Sequence, residues 1–240
     1  MPRGTFKHVS IFNTLSFKIT SLVALFLSSL IIILALSIGN EAGNFVVQVE
    51  SGSVTKSLSI TEDLEDITTY KDRIVTSGIK NISDNAPQLF MPNGISDVKE
   101  MTQDTGVNLS YPDLYVYTFY VVNTCDQDIN LEFNMRITTV HNNLDKAIRV
   151  MSYNEVDESL NIYQARDEIE KEYIYYEYQP QLFVSDKTVY QQQYTLKSNE
   201  EENNYIKYSI LIWIEGEDPE CNEQIYLSAI KFQLDIRVVD

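Results

Sequence analysis

Between Lys18 and Glu41 the chain carries no charge, and Ile19 to Ile38 reads ITSLVALFLSSLIIILALSI. No other stretch limits so sharply what this chain can become. As a helix rising about 1.5 Å per residue, the run would measure about 30 Å, the thickness of a bilayer's hydrocarbon core. Its six Leu and five Ile each favour insertion by about 0.3–0.6 kcal/mol, which outweighs the cost of the Ser and Thr between them. The expectation is a cytoplasmic tail over 1–18, a transmembrane helix over 19–40 and an extracellular domain over 41–240. Arg3, Lys7 and Lys18 precede the run and Glu41 comes after it, which sets the amino terminus on the cytoplasmic side. The competing reading is a cleaved secretory leader, for which Ala35-Leu36-Ser37 is a passable site. A leader's apolar region is shorter, about 7–15 residues, so a retained signal-anchor is the better fit.

Setting aside Arg3, Lys7 and Lys18, the 18 Lys and Arg of the chain fall to 15 against 35 Asp and Glu. Nucleic acid and anionic lipid both require clustered positive charge, so this balance excludes them as partners. A solvated, self-repelling surface is its ordinary meaning. Sixteen Tyr and 44% apolar residues are too many for disorder, and about 200 residues suffice to bury a β core.

Two-residue alternation dominates the chain beyond the apolar run. Phe45, Val47 and Val49 alternate with Val46, Gln48 and Glu50, and Ser53 to Ile60 repeats the pattern weakly. From Thr61 to Asn81 the spacing of Leu64, Ile67, Lys71 and Ile74 turns to threes and fours, which reads as a short helix capped by Thr61 or an irregular excursion. Asp84 to Pro112, with its prolines and glycines, reads as a long loop with one short strand. The whole interval 61–112 is thus a loop-or-helix insertion. Leu114 to Asn123 is apolar on both faces. Leu131, Phe133, Met135 and Ile137 alternate with polar residues, and the two stretches read as a hairpin around CDQD. Ala147 to Tyr153, Leu160 to Tyr163, Tyr173 to Tyr178, Leu182 to Val184, Tyr205 to Ile214 and Ile225 to Val239 complete the strands, with one helical turn at Ala165 to Lys171. The expected fold is all-β, an antiparallel β-sandwich of Ig or jelly-roll kind after one N-terminal transmembrane helix.

Chemistry is sparsely signalled. His8 falls in the expected tail and His141 stands alone after a strand, so a Ser-His-Asp or Cys-His system has little to draw on. No HExxH, glycine-rich phosphate loop or CxxC is present. Cys125 and Cys221 each come after a strong strand; if those strands run the same way in one sheet, the thiols meet and form a disulfide worth about 4–5 kcal/mol in the chain-entropy account. Their meeting would also merge two acidic turns, Asp126 and Asp128 with Glu217, Asp218 and Glu220, into an oxygen-rich rim of the kind calcium selects. Exposed Tyr would suit a glycan, although sandwich cores also consume Tyr and the single Trp213.

YVYTFYVVN at 115–123, AIRVMSY at 147–153 and YSILIWIEGEDPEC at 208–221 carry a family likeness, together with GNFVVQVE at 43–50 and ITEDLED at 60–66. The chain resembles an uncharacterised family of N-terminally anchored, surface-exposed β-sandwich proteins of Gram-positive bacteria. More distantly it is similar to the biofilm-fibre and camelysin class, secreted sandwiches that polymerise by lending an N-terminal strand. The resemblance implies a single-pass membrane protein whose C-terminal domain is extracellular, and it carries over no catalytic residue.

The functional expectation is a non-enzymatic, membrane-anchored cell-surface protein in adhesion, envelope structure or protein interaction. The alternatives are a carbohydrate-binding module, which needs a concave face with several exposed rings, and an envelope hydrolase, which needs close carboxylates with shifted proton affinities. Expected partners are the membrane, through Ile19 to Ile38, and a surface protein or glycan. The strand at Phe45 to Glu50 is expected to pair within its own domain, because Phe45, Val47 and Val49 need a core and their own is nearest, with self-association through it by β-augmentation as the alternative.

Overall fold

In a computed structural model of the chain, the described residues are 19–29, 45–54, 58–78, 83–166, 178–200 and 204–239. The chain divides into two units, Met1–Ala42 and Gly43–Asp240. In the first, residues 19–29 form a helix, α1. Leu22, Leu25 and Phe26 stand exposed on it, and the Ser28 and Ser29 hydroxyls donate back to the Leu25 and Phe26 carbonyls at 2.9 and 2.8 Å. That bonding satisfies the two serines without water. Among the described residues no helix is long and apolar enough to cross a membrane. The remainder of the expected span, 30–40, lies outside the described residues, as do 167–171 and most of the strand expected at 173–178.

In the second unit the alternating residues make strands that pair into two sheets. The strands are β1 (Val46–Val49), β2 (Leu58–Thr61), β3 (Arg73–Val75), β4 (Asp84–Asn85), β5 (Gly106–Val107), β6 (Tyr115–Asn123), β7 (Ile129–Val140), β8 (Ile148–Asn154), β9 (Ser159–Gln164), β10 (Gln181–Leu182), β11 (Thr188–Leu196), β12 (Tyr205–Glu215) and β13 (Ile230–Val239). One sheet runs β11-β7-β13-β1-β3. The other runs β10-β9-β8-β12-β6-β2, with β4 beside β12 and β5 beside β6. Leu131, Phe133, Met135 and Ile137 of β7 point into the space between the sheets, where they meet Tyr117, Phe119, Tyr208 and Ile210 of β6 and β12. The Phe133 and Tyr208 rings are 4.8 Å apart. This is a β-sandwich whose two inner faces share one core. Its sheets are mixed, because β1 runs parallel to β13, β10 to β9 and β4 to β12; the expectation of a purely antiparallel sandwich is corrected to that extent.

β6 and β12 are buried on both faces, and the insertion after β3 explains why. Helices α3 (Pro87–Phe90) and α4 (Ile95–Met101) lay Phe90, Met91, Val98 and Met101 over Val116, Met151, Leu211 and Trp213, a second core on the outer face of that sheet. The stretch read as a long loop is therefore a covering layer. Its prolines and glycines suit its tight connections: Pro87 opens α3, and Gly94, at φ 68°, opens α4. The helix expected from Thr61 is a single 3₁₀ turn, Ile67–Thr69, with β3 after it. Thr61 Oγ1 accepts from Asp63 N–H and shares a hydrogen bond with Thr69 Oγ1 at 2.6 Å, closing a loop instead of capping a helix. Ser53 and Val54, at the start of the strand expected over Ser53 to Ile60, belong instead to a helical turn, α2 (Ser51–Val54), and the strand β2 begins at Leu58.

β6 and β7 are not a hairpin. β6 pairs with β12 and β2, whereas β7 pairs with β13 and β11 in the opposite sheet. The physical reason lies in their patterns: a strand apolar on both sides needs the doubly covered sheet, and a half-polar strand needs the sheet with one wet face. On that wet face Asp235 is almost enclosed, accepting from Gln48 Nε2 at 2.8 Å, Gln233 Nε2 at 2.7 Å and Arg136 Nε at 2.6 Å. These contacts lock β1, β13 and β7 side by side. After β7, the short helix α5 (Leu144–Ala147) leads the chain back to the doubly covered sheet.

Candidate functional site

Cys125 and Cys221 do not meet. β6 and β12 are neighbours but antiparallel: Val122 pairs with Tyr205 and Tyr115 with Ile212, so the end of one strand is the start of the other. Cys125 lies past one end of this ladder and Cys221 past the other, at least the length of the paired segment apart, about 23 Å. Both thiols are free. The disulfide and the merged acidic rim are therefore corrected to two separate turns. Among the described residues no group of three or more His, Cys, Asp or Glu is placed to hold a metal ion.

Each turn instead spends its carboxylates on local structure. Asp128 accepts from Lys197 Nζ at 2.8 Å and from Ser198 N–H at 3.0 Å, which holds its carboxyl below the usual range. Asp126 stands beside the Cys125 thiol. At the other end, Asp218 is enclosed. Burial alone would raise its affinity for protons, but the Glu220 N–H at 2.8 Å and the Arg149 guanidinium at 2.5 Å more than offset it and hold it ionised. Trp213 Nε1 donates to Glu215 Oε2 at 3.3 Å beside them. Burial and the nearby Asp84, Asp218 and Glu215 push the Cys221 thiol up, away from a reactive thiolate. The carboxyls of Asp66, Asp128 and Asp218 are all held below the ordinary range by the hydrogen bonds they accept, the direction opposite to that of a glycosidase's general acid.

Sequence reasoning missed a polar cluster inside the sandwich. Gln192 of β11 accepts from Tyr208 Oη at 2.7 Å and Tyr194 Oη at 2.8 Å, and donates to Tyr163 Oη at 2.7 Å and Ser152 Oγ at 3.2 Å. Tyr190 Oη is 2.9 Å from Tyr208 Oη. One amide thus uses its full donor and acceptor capacity to join β11 of one sheet to β8, β9 and β12 of the other. Burial pushes the phenols of Tyr163, Tyr190, Tyr194 and Tyr208 up, so all four are neutral at physiological pH and act as hydrogen-bonding struts. The QQQY run in β11 was the available signal, since a glutamine between inward-facing tyrosines breaks the apolar alternation.

Beyond Tyr194 a cleft of about 280 Å³ opens at the end of the sandwich near Asp128, lined by Asn154, Asp157, Tyr194, Lys197 and Tyr205 among others. A second and larger hollow, about 420 Å³, lies along β1 and β3 and is lined by Gln48, Glu50, Asp72 and Arg73 among others. Of the described aromatic residues in the sandwich, only Tyr226 is exposed, at 77%, far from the Tyr194 cleft; Trp213 is fully buried against Phe90. His141 is exposed in the turn after β7, its backbone N–H bonded to Ala229 O.

No protein-family model matches the chain, no curated protein matches it, and no solved structure matches its fold.

Proposed function

We propose that this is a membrane-anchored cell-surface protein without enzymatic activity, a sandwich of jelly-roll kind held at the bilayer by Ile19 to Ile38 and displayed outside the cell for adhesion, envelope structure or protein interaction. The place of β1 carries this reading. β1 comes after the apolar run and a short connector, and it lies between β3 and β13, parallel to β13. Tension between an anchor at the start of β1 and a partner held near the end of β13 would load that parallel ladder in shear, so its hydrogen bonds resist together. A hairpin in the same position would peel one bond at a time. Asp235, shared by Gln48, Gln233 and Arg136, adds side-chain ties across the same ladder.

Protease added to intact, wall-stripped cells tests the reading, with an epitope at each end of the full chain. Loss of the C-terminal epitope with retention of the N-terminal one is expected, together with stronger retention of displaying cells on a partner cell layer under flow. A protected C-terminal epitope overturns the orientation, and retention equal to that of cells lacking the protein overturns the adhesive role. A second reading, glycan binding, draws on the cleft with Tyr194 and Tyr205. Saturable binding of a soluble glycan that Tyr205→Ala abolishes would favour it.

A further inference from the structure

We propose that the end of the sandwich where β1 begins rests on the lipid surface through an apolar rim whose tip is Tyr226-Leu227; this rests on the anchor reading.

Strand pairing brings the rim together. Val75 pairs with Val46, and Val140 with Ile230, so both stand at the end where β1 and β13 start. β6 begins there too, because the Phe45 and Tyr115 rings are 5.9 Å apart and the Thr76 and Tyr115 hydroxyls share a hydrogen bond at 2.6 Å. Leu109 lies next to Asn108, whose N–H bonds Val116 O in that part of β6. Val184 is one residue past Phe183, whose N–H bonds Gln164 O beside Arg149 at the start of β8. Val75, Leu109, Val140 and Val184 are all exposed there.

Leu227 is 97% exposed and Tyr226 77%. Leu227 also sits in the left-handed region at φ 59°, which a bulky residue adopts only when its surroundings impose it. They do so here: Asn142 Nδ2 donates to Tyr226 O at 3.3 Å, Ser228 N–H to Ile225 O at 3.1 Å and His141 N–H to Ala229 O at 2.9 Å. A strained turn that holds a leucine fully in water implies a partner that covers it.

The chain itself selects that partner. Gln233 pairs with Val46, and β13 extends three residues further to Ile230, about 10 Å beyond the start of β1 on the side where the chain leads back to the apolar run. The connector from Gly39 to Asn44 spans at most about 20 Å when fully extended. With Ile19 to Ile38 in a bilayer, its surface is therefore within reach of the rim. A tyrosine beside a leucine suits that boundary, with the phenol at headgroup level and the alkyl group below it. Asp186, Glu217 and Glu223 are exposed at the same end beside Lys187 and Arg166, so this end has no excess of positive charge to hold an anionic surface and the surface engaged is zwitterionic.

The test uses the full chain reconstituted into zwitterionic vesicles, with Tyr226→Trp or Val156→Trp as reporters. Val156 is exposed in the turn after β8, at the opposite end. Native Trp213, the single tryptophan and fully buried, supplies the background measured in the unmodified chain. In lipid brominated near the top of the acyl chains, Tyr226→Trp emission is expected to fall about twofold relative to unbrominated lipid, with little change for Val156→Trp. Equal quenching of the two reporters in a chain that floats with the vesicles overturns this inference and leaves the anchor standing. A chain that does not float overturns both.

Discussion

Arg149 and Asp218 form an ion pair with neither side chain exposed, Arg149 Nη2 lying 2.5 Å from Asp218 Oδ2. Arg149 stands at the start of β8, and Asp218 lies in the turn that leaves β12 for the opposite sheet, so the pair fastens that crossover to the sheet it departs from. Asp218→Ala would leave the guanidinium enclosed with one fewer counter-charge, and breaking such a pair costs about 3–5 kcal/mol. The expected outcome is a large drop in the urea midpoint. Arg149→Met combined with Asp218→Leu should recover most of it, because two apolar side chains need no partner. A single variant within about 0.5 kcal/mol of the unmodified protein would show that the pair does not fasten the turn.

The same pair predicts acid sensitivity. Asp218 binds protons less tightly folded than unfolded, so its contribution is present above the unfolded carboxylate value, about 3.9, and is lost as pH falls through the lower folded value. Melting temperature should fall below about pH 4, and more steeply in the unmodified protein than in the Arg149→Met, Asp218→Leu variant. Parallel curves would remove Asp218 as the cause.

Gln192 is expected to matter more than a half-buried glutamine ordinarily would. Gln192→Leu keeps the approximate volume but strands the Tyr194 donor and removes the donors to Tyr163 and Ser152, while the Tyr208 hydroxyl keeps Tyr190 Oη at 2.9 Å as its acceptor. At about 1–3 kcal/mol for each group left unsatisfied, with partial relief by water at the cleft, a loss of about 2–4 kcal/mol is expected in chemical denaturation. Gln192→Glu should restore the acceptor interactions but not the donor ones, and fall between.

Val47 is fully buried at the middle of β1. Val47→Asp places an unpaired charge in the core and should lower the melting temperature of the detergent-solubilised full chain by an amount equivalent to about 3 kcal/mol or more, with no change in mass by light scattering. A variant that melts unchanged while the protein's oligomeric mass falls would mean that β1 serves a neighbouring copy instead of its own sheet.

The two cysteines should label separately. Mass spectrometry without reductant is expected to count two free thiols. Cys221, whose thiol is pushed up by burial and three carboxylates, should alkylate at pH 8 about tenfold more slowly in the native chain than in denaturant. A native mass two protons lighter, with no label taken up, would contradict the antiparallel placement of β6 and β12.

Whatever depends on neighbours along the chain was settled by the order of residues alone. The period of two in β7 and β13, the double-sided apolar character of β6 and β12, and the uncharged run before residue 39 each arise from side-chain chemistry at fixed spacing, and they specify strands, a covered sheet and a membrane-compatible segment. Alternation also placed Phe45, Val47 and Val49 inward. Which strand lies beside which, and in what direction, came from tertiary packing. β6 and β7 look like a hairpin because they are adjacent, yet burial on both faces sends β6 under α3 and α4 while the half-polar β7 goes to the sheet with an open face. The cysteines look like partners because each comes after a strong strand, yet the antiparallel β6–β12 ladder sends them to opposite ends. Gln192 looks like a surface residue and is the hub of four hydroxyls from two sheets. Pairing partner, strand direction and the meeting of polar groups across a core are contacts between residues distant in sequence, and no local period encodes them.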